Sequence, residues 1–508
     1  QSSGTLVPEM TNNAVNIHWE PYNDVLFAEQ TSNAFQILND STTLTGELAI
    51  EPSGISGSGK LDMKNAYLTS NNYQFRDIGF SADTVNLNLR SLNNTGLTVQ
   101  TTNVKADVDF SKQSGYFESN DDFTLVEFPE NKYISYLDYF EWKMREANLI
   151  MGARKKLTPE VFNIGYQSPE DDKLTGARFV SVQYDQDSLS FVSPVATYDY
   201  NKNVLNASEV QFIPVADALI YPSNGEVSVL ENGKLAYLDS AVIIANNLQK
   251  YHRLHTAEIK VESSKEYSAK AYYDYVDELD EVQLIYFNDV RVDTGLHTVA
   301  NGAITEPDNF TLSPYFAYQG KVRLDAYDSL LFFEGGTRIV QECDNISTGW
   351  LRIATRIYPR DIYIPVPEQP KDINFNKSFA GTFVTQDSIH LYSSFLGSRK
   401  QYNDNYIATA SGYLTYNKYT ATYQIGSKEK IANRNVPGNY LALDRENCVF
   451  EGEGKLDLGV DLGQLKLLTI GKSKHDLISD EKELNVVLGL NFLLNQPSLN
   501  EMASEVDS

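Results

Sequence analysis

Apolar residues in this chain recur at every second position far more often than at every third or fourth. Leu61, Met63 and Tyr67 alternate with polar neighbours, as do Val85, Leu87 and Leu89. Val104, Ala106, Val108 and Phe110 continue the pattern, and Leu456, Leu458, Val460 and Leu462 repeat it near the C-terminus. A period of two sends successive side chains to opposite faces, so these runs predict strands with one buried and one wet face. Turn-forming pairs (Asn93-Asn94, Thr95-Gly96, Asn224-Gly225, Asn232-Gly233, Asn301-Gly302) punctuate them at short intervals. The prediction is an all-β chain of many short strands, arranged as an elongated β-solenoid or as stacked jelly-roll units.

Helical spacing occurs in two places. Tyr133, Leu137, Phe140 and Met144 step by three and four after Pro129, which predicts one helix. The acidic tail from Ser479 to Glu505 predicts a second. Two degenerate similarities also recur. The first is Asp, then Ser or Thr, then alternation, at Asp83, Asp187, Asp328 and Asp387; the second is Gly-Lys before alternation, at Gly59, Gly320 and Gly454. Their irregular spacing excludes a strict repeat. Both are expected to be turns that open a strand, with Asp and Ser closing an Asx-type turn. Prolines crowd between Pro359 and Pro370, predicting a linker or an extended edge, and a polar break lies near Thr158 to Lys173. The expected domains are 1–160, 161–365 and 366–508.

Composition strengthens the β reading. The chain has 32 Tyr and 24 Phe against 5 Met, and 42% of it is hydrophobic, enough for a real core. The formal charge of −26 comes without any lysine or arginine cluster, so nucleic acid and anionic membrane surfaces are excluded as expected partners. No apolar run reaches 18 residues, so no transmembrane helix is expected, and the start at Gln1 without a signal peptide suggests a processed chain or a piece of a longer one. Cys343 and Cys448 are too few for a disulfide framework; whether they pair stays open.

Candidate chemistry dissolves on inspection. Gly54 to Lys60 has phosphate-loop spacing, yet Leu61 stands where Ser or Thr would hold magnesium, and a strand pattern follows instead of a helix. The Gly57-Ser58-Gly59 run is only a truncated nucleophile elbow. Among six histidines only His252 and His255 are close, with Glu258 beyond; strands on either side place residues three apart on opposite faces, so a bend rather than a metal site is expected. Paired carboxylates (Asp121-Asp122, Asp171-Asp172, Asp277 to Asp280) are too common in so acidic a chain to mark an active site. Tyrosine-rich stretches at Tyr272 to Tyr275 and Tyr413 to Tyr423 are expected to pair across strands rather than form a glycan platform. No catalytic, cofactor-binding or metal-ligating residue is singled out.

Two resemblances add direction. Residues Val195 to Ala207 resemble a rung of the periplasmic jelly rolls that transport lipopolysaccharide. Phe128 to Tyr133, Asp138 to Trp142, Phe212 to Ala218, Phe310 to Pro314 and Phe395 to Tyr402 resemble large envelope proteins of bacteria with type IX secretion, among them the Plug subunits that close the outer-membrane translocon. The resemblance implies a non-enzymatic subunit on the periplasmic side of an outer membrane, sealing or gating a large channel in a partner translocon protein. The alternatives are a lipid or lipopolysaccharide bridge, with lipid reaching Leu87 or Phe191, and a secreted glycan-binding β protein, weakened by only three tryptophans (Trp19, Trp142, Trp350).

Overall fold

The computed structural model describes residues 8–37, 42–91, 96–154, 174–246, 248–386, 390–401, 403–458, 465–492 and 496–506. It is 60% strand and 6% helix, as the period-two pattern requires. Of the alternating positions, Leu61, Val85, Leu87, Leu89, Val104, Ala106, Val108 and Leu456 are buried, whereas Met63, Tyr67, Phe110 and Leu458 are only partly so, and Val460 and Leu462 lie outside the described residues. No helix among the described residues is long and apolar enough to cross a membrane.

The chain forms two compact units, residues 1–272 with 288–299 and residues 273–287 with 300–508. Of the expected domain boundaries, 160/161 lies outside the described residues and 365/366 falls within the strand Ile364–Val366.

The first unit contains a 19-stranded antiparallel sheet. Its long hairpins, Thr42–Glu51, Gly54–Met63, Ala66–Arg76, Gly79–Arg90 and Leu97–Asp109, pair in chain order. The sheet forks at the last of these. Val104 to Asp109 pair with Ser114–Ser119, while Gln100 and Thr101 pair with Thr124–Phe128. Each branch continues through its own hairpins, and Phe128 and Tyr198 meet between them at 5.1 Å. Buried Asn131 fastens the fork by donating to the carbonyls of Asn203, Val229 and Leu230. Antiparallel hairpins of this kind lend no support to stacked solenoid rungs.

The second unit holds a β-sandwich. A four-stranded sheet of Ile346–Thr348, Leu391–Gly397, Phe379–Val384 and Asn405–Thr409 faces a seven-stranded one running from Ile364–Val366 to Lys482–Phe492. Phe395 of the first lies 6.4 Å from Tyr423 and 6.2 Å from Phe450 of the second. Pro365 sits on the terminal strand of the larger sheet, where its missing N–H costs no ladder bond, so the proline-rich segment includes an extended edge. Cys343 and Cys448 are disulfide-bonded.

Several expectations are corrected. The helix expected from Tyr133 to Met144 is two strands, Tyr133–Leu137 and Tyr139–Lys143. A four-residue step is also two strand periods, and the three-residue step between Leu137 and Phe140 crosses the junction at Asp138, where the inward phase flips. In the tail, Lys482–Phe492 is a strand and only Gln496–Val506 is helical.

The Gly-Lys motif is not a turn. Each copy lies inside a strand, its glycine directly opposite another: Gly59 faces Gly46, Gly320 faces Gly335, and Gly454 faces Gly471. Gly59 has φ +122°, and a Cβ there would stand 2.2 Å from the Thr45 carbonyl oxygen. Two backbones cross too closely for side chains at these points. The Asp-Ser device is a true Asx turn at Asp328, which accepts from the Leu330 N–H, but Asp83 lies within a strand and Asp387 outside the described residues. Asn301-Gly302 likewise sits inside the strand Thr298–Ile304 rather than at a turn.

Candidate docking edge

Expected site residues scatter into structural roles. Gly54 to Lys60 belong to the strand Gly54–Met63. His252 and His255 share the strand His252–Ser263; His255 is partly exposed, beside a bend, but His252 is fully buried. Thr256, with φ +50°, kinks the ladder just beyond them. Among the described residues no three His, Cys, Asp or Glu side chains gather as a metal site would require. Asp277 is buried capping the backbone N–H groups of Leu279 and Glu281, Glu278 pairs with Lys418, and Asp280 with Arg360. Asp171 and Asp172 lie outside the described residues. Tyr423 is buried and donates to the Tyr315 and Val340 carbonyls, and Tyr416 stacks on Tyr315. Leu87 and Phe191 are core residues, so neither lines a lipid groove.

What stands out instead is the C-terminal ribbon. Leu465–Asp476 and Lys482–Phe492 pair from Leu465 opposite Phe492 to His475 opposite Lys482. On its other side the inner strand meets Val449–Lys455 only from Ile470 to Asp476. The outer strand ends the sheet, so among the described residues it has a ladder partner on one side alone. At the base of the ribbon Leu484 and Val486 pack on Ile407, Ala408 and Leu456. Farther out that cover ends: Leu488 is 59% exposed and Leu490 52%. On the opposite face Leu468, Ile470 and Val487 are 52%, 63% and 75% exposed. The run from Val486 to Leu490 is therefore apolar on both faces.

Sheet edges are normally blunted by shortness, lysine, proline or cover. This one is 11 residues long, without proline, and its one lysine is at the first position. A water-exposed two-stranded ribbon is marginal alone. Covering these side chains would gain about 25 cal/mol for each Å² of apolar surface removed from water. Residues 465–492 also carry four Lys against four Asp and Glu, a local charge of zero in a chain of −26.

Two buried polar clusters hold the ribbon's base. In the first, Ser393 Oγ lies 2.9 Å from His475 Nδ1, and His475 Nε2 lies 2.9 Å from Asp480 Oδ1. Lys482 Nζ is 2.6 Å from the same Asp480 oxygen. The Ser–His–Asp order is that of hydrolytic relays. Here Ser393 and His475 are sealed between the two sheets, so a substrate carbonyl reaches the hydroxyl only if the sandwich parts. The arrangement ties the ribbon's turn to the opposing sheet.

Burial pushes the His475 imidazole below its ordinary value, and the nearby Lys482 cation adds to this against the pull of Asp480 and Asp476. The unfolded chain takes up this proton near pH 6.5, whereas the folded state resists it. Folding stability should therefore fall as pH drops from 8 to 5.5 and stay level above pH 8. Urea midpoints at the two pH values measure it; His475→Leu should remove the slope, and an equal slope in that variant refutes the assignment.

In the second cluster Glu453 accepts from Lys430 Nζ at 2.8 Å and from Arg434 at 2.6 Å. Lys430 sits on the short helix Lys428–Ala432, capped by Ser427, and its ammonium is almost wholly buried. Burial raises the Glu453 pKa, yet the two cations outweigh it and hold the carboxyl at about 2.

The sequence reading missed this edge because it took the segment for a helix. Leu484, Val486, Leu488 and Leu490 carried the period-two signal that would have found it. Compared with known proteins, the chain matches no protein family, no curated protein and no solved structure.

Proposed function

We propose that this chain is a non-enzymatic interaction protein of a bacterial cell envelope that docks on its partner by strand addition along Lys482–Phe492. The observation that carries the reading is the long, apolar strand at the sheet's edge, with no neighbour on its outer side among the described residues. Its free N–H and C=O groups specify an extended segment as the occupant, and the alternating apolar side chains supply the grip. The partner of this proposal is a large outer-membrane translocon protein, sealed or gated sterically from the periplasmic side. The Cys343–Cys448 bridge suits an oxidising compartment such as the periplasm.

The test is co-purification from solubilised envelopes with native protein and with a Val487→Lys/Leu490→Lys variant. Both positions are exposed, so the variant's unfolding midpoint should match native within about 0.5 kcal/mol. Native protein should retain an outer-membrane barrel and the variant should lose it. Equal retention by both would remove the edge from the proposal.

A further inference from the structure

The first unit contains a cleft that no part of the docking proposal uses. Its volume is about 590 Å³, within the usual range for small-molecule sites. Its wall is mixed: Met63, Ile78, Phe110, Trp142 and Met144 form an apolar strip, and Thr42, Asn65, Ser111 and Gln113 line the rest. Methionine is rare in this chain, 5 in 508 residues, and two of the five line this one cleft. Thioether side chains adapt to varied apolar shapes, which suits a flexible ligand better than a rigid one. Trp142 fixes one wall, since its indole N–H donates to the Tyr200 hydroxyl and the residue is otherwise buried.

Among the described residues, Lys64 is the one charged residue in the lining of the cleft. Elsewhere in the same unit Lys60 and Arg90 pair with Asp62, Arg76 with Asp107, Lys112 with Asp109 and Lys143 with Glu141. Lys64 lines the cleft and makes no ion pair or hydrogen bond among the described residues. An ammonium beside a strip of apolar side chains in so acidic a chain favours a ligand with one negative charge and a hydrocarbon tail, its polar neighbours in the wall facing the head-group end.

We infer that this cleft binds a long-chain carboxylate, its tail along Met63, Ile78, Phe110, Trp142 and Met144 and its head group at Lys64. Dodecanoate is the probe, below its micellar concentration at pH 8, followed by calorimetry and Trp142 fluorescence, with Trp142→Phe assigning the signal. Dodecan-1-ol and dodecyltrimethylammonium are the head-group controls.

Dodecanoate is expected to bind with a Kd in the range of about 1–100 μM, and the cationic control at least about tenfold more weakly. Lys64→Glu should weaken dodecanoate about tenfold or more and leave dodecan-1-ol unchanged. Ile78→Asp should weaken both. Lys64 and Ile78 are exposed, so unchanged urea midpoints will show that the variants fold. Absence of a Trp142 response up to about 1 mM, or head-group-independent binding, or affinities that neither variant shifts, would each overturn the assignment.

Discussion

Glu453→Gln is expected to destabilise the second unit by about 3–5 kcal/mol, because it leaves the buried Lys430 ammonium without its counter-charge. The expected loss is large because of burial, not because an ion pair is present. Exposed pairs such as Arg291–Asp289 are worth about 0–1 kcal/mol and should be removable without consequence. The same carboxylate makes acid sensitivity predictable. Its folded pKa of about 2 lies below the unfolded value near 4.3, so its contribution is complete above pH 5 and is lost as pH falls towards 2. Integrated over that range the native protein should lose on the order of 3 kcal/mol through this group, and the Gln variant should lack that component. Urea titrations followed at Trp350, the one tryptophan of this unit, measure both effects. A midpoint within about 0.5 kcal/mol of native would show that Lys430 finds water or another partner.

The sheets were legible in the sequence because a buried face repeats every second residue, and that information is local. Val85, Leu87 and Leu89 needed no knowledge of their neighbours to be placed inside. Local periodicity fails where two elements meet, as at Asp138, whose phase flip imitated a helical step. It also fails where one spacing serves two periods, as with Tyr133 and Leu137. The Gly-Lys motif was visible, but its meaning was not. That the partner of Gly59 is Gly46, and that of Gly320 is Gly335, depends on strand register, which one strand does not encode by itself.

The clusters beneath the ribbon were out of reach for the same reason. Ser393 and His475 are 82 residues apart, and Lys430 and Glu453 are 23 apart. Neither pair has a spacing that marks it, since pairing across sheets brings them together. The docking edge differs, for its alternation was printed in Leu484 to Leu490. The stretch Lys482–Phe492 of the acidic tail reads as a surface helix only if its apolar residues are counted at the wrong period.

Replacing both cysteines, Cys343→Ala with Cys448→Ala, should lower the stability of the second unit by about 4–5 kcal/mol. The bridge closes a loop of 105 residues, and the chain-entropy account assigns about 4.7 kcal/mol to a loop of about 100. The loop runs from the end of the strand Phe332–Ile339 to the hairpin of Tyr440–Asp444 and Val449–Lys455, and so encloses most of the sandwich. Opening it frees the unfolded chain far more than the folded one, whose sheets stay laddered. The effect should be confined. Both cysteines of the chain lie in the second unit, so unfolding followed at Trp142 in the first should keep its midpoint while the Trp350 transition moves. Dithiothreitol should reproduce the shift in native protein and do nothing further to the variant. Equal Trp350 midpoints in native and variant protein under oxidising conditions would mean that the bridge adds nothing to stability, and the argument for an oxidising compartment would go with it.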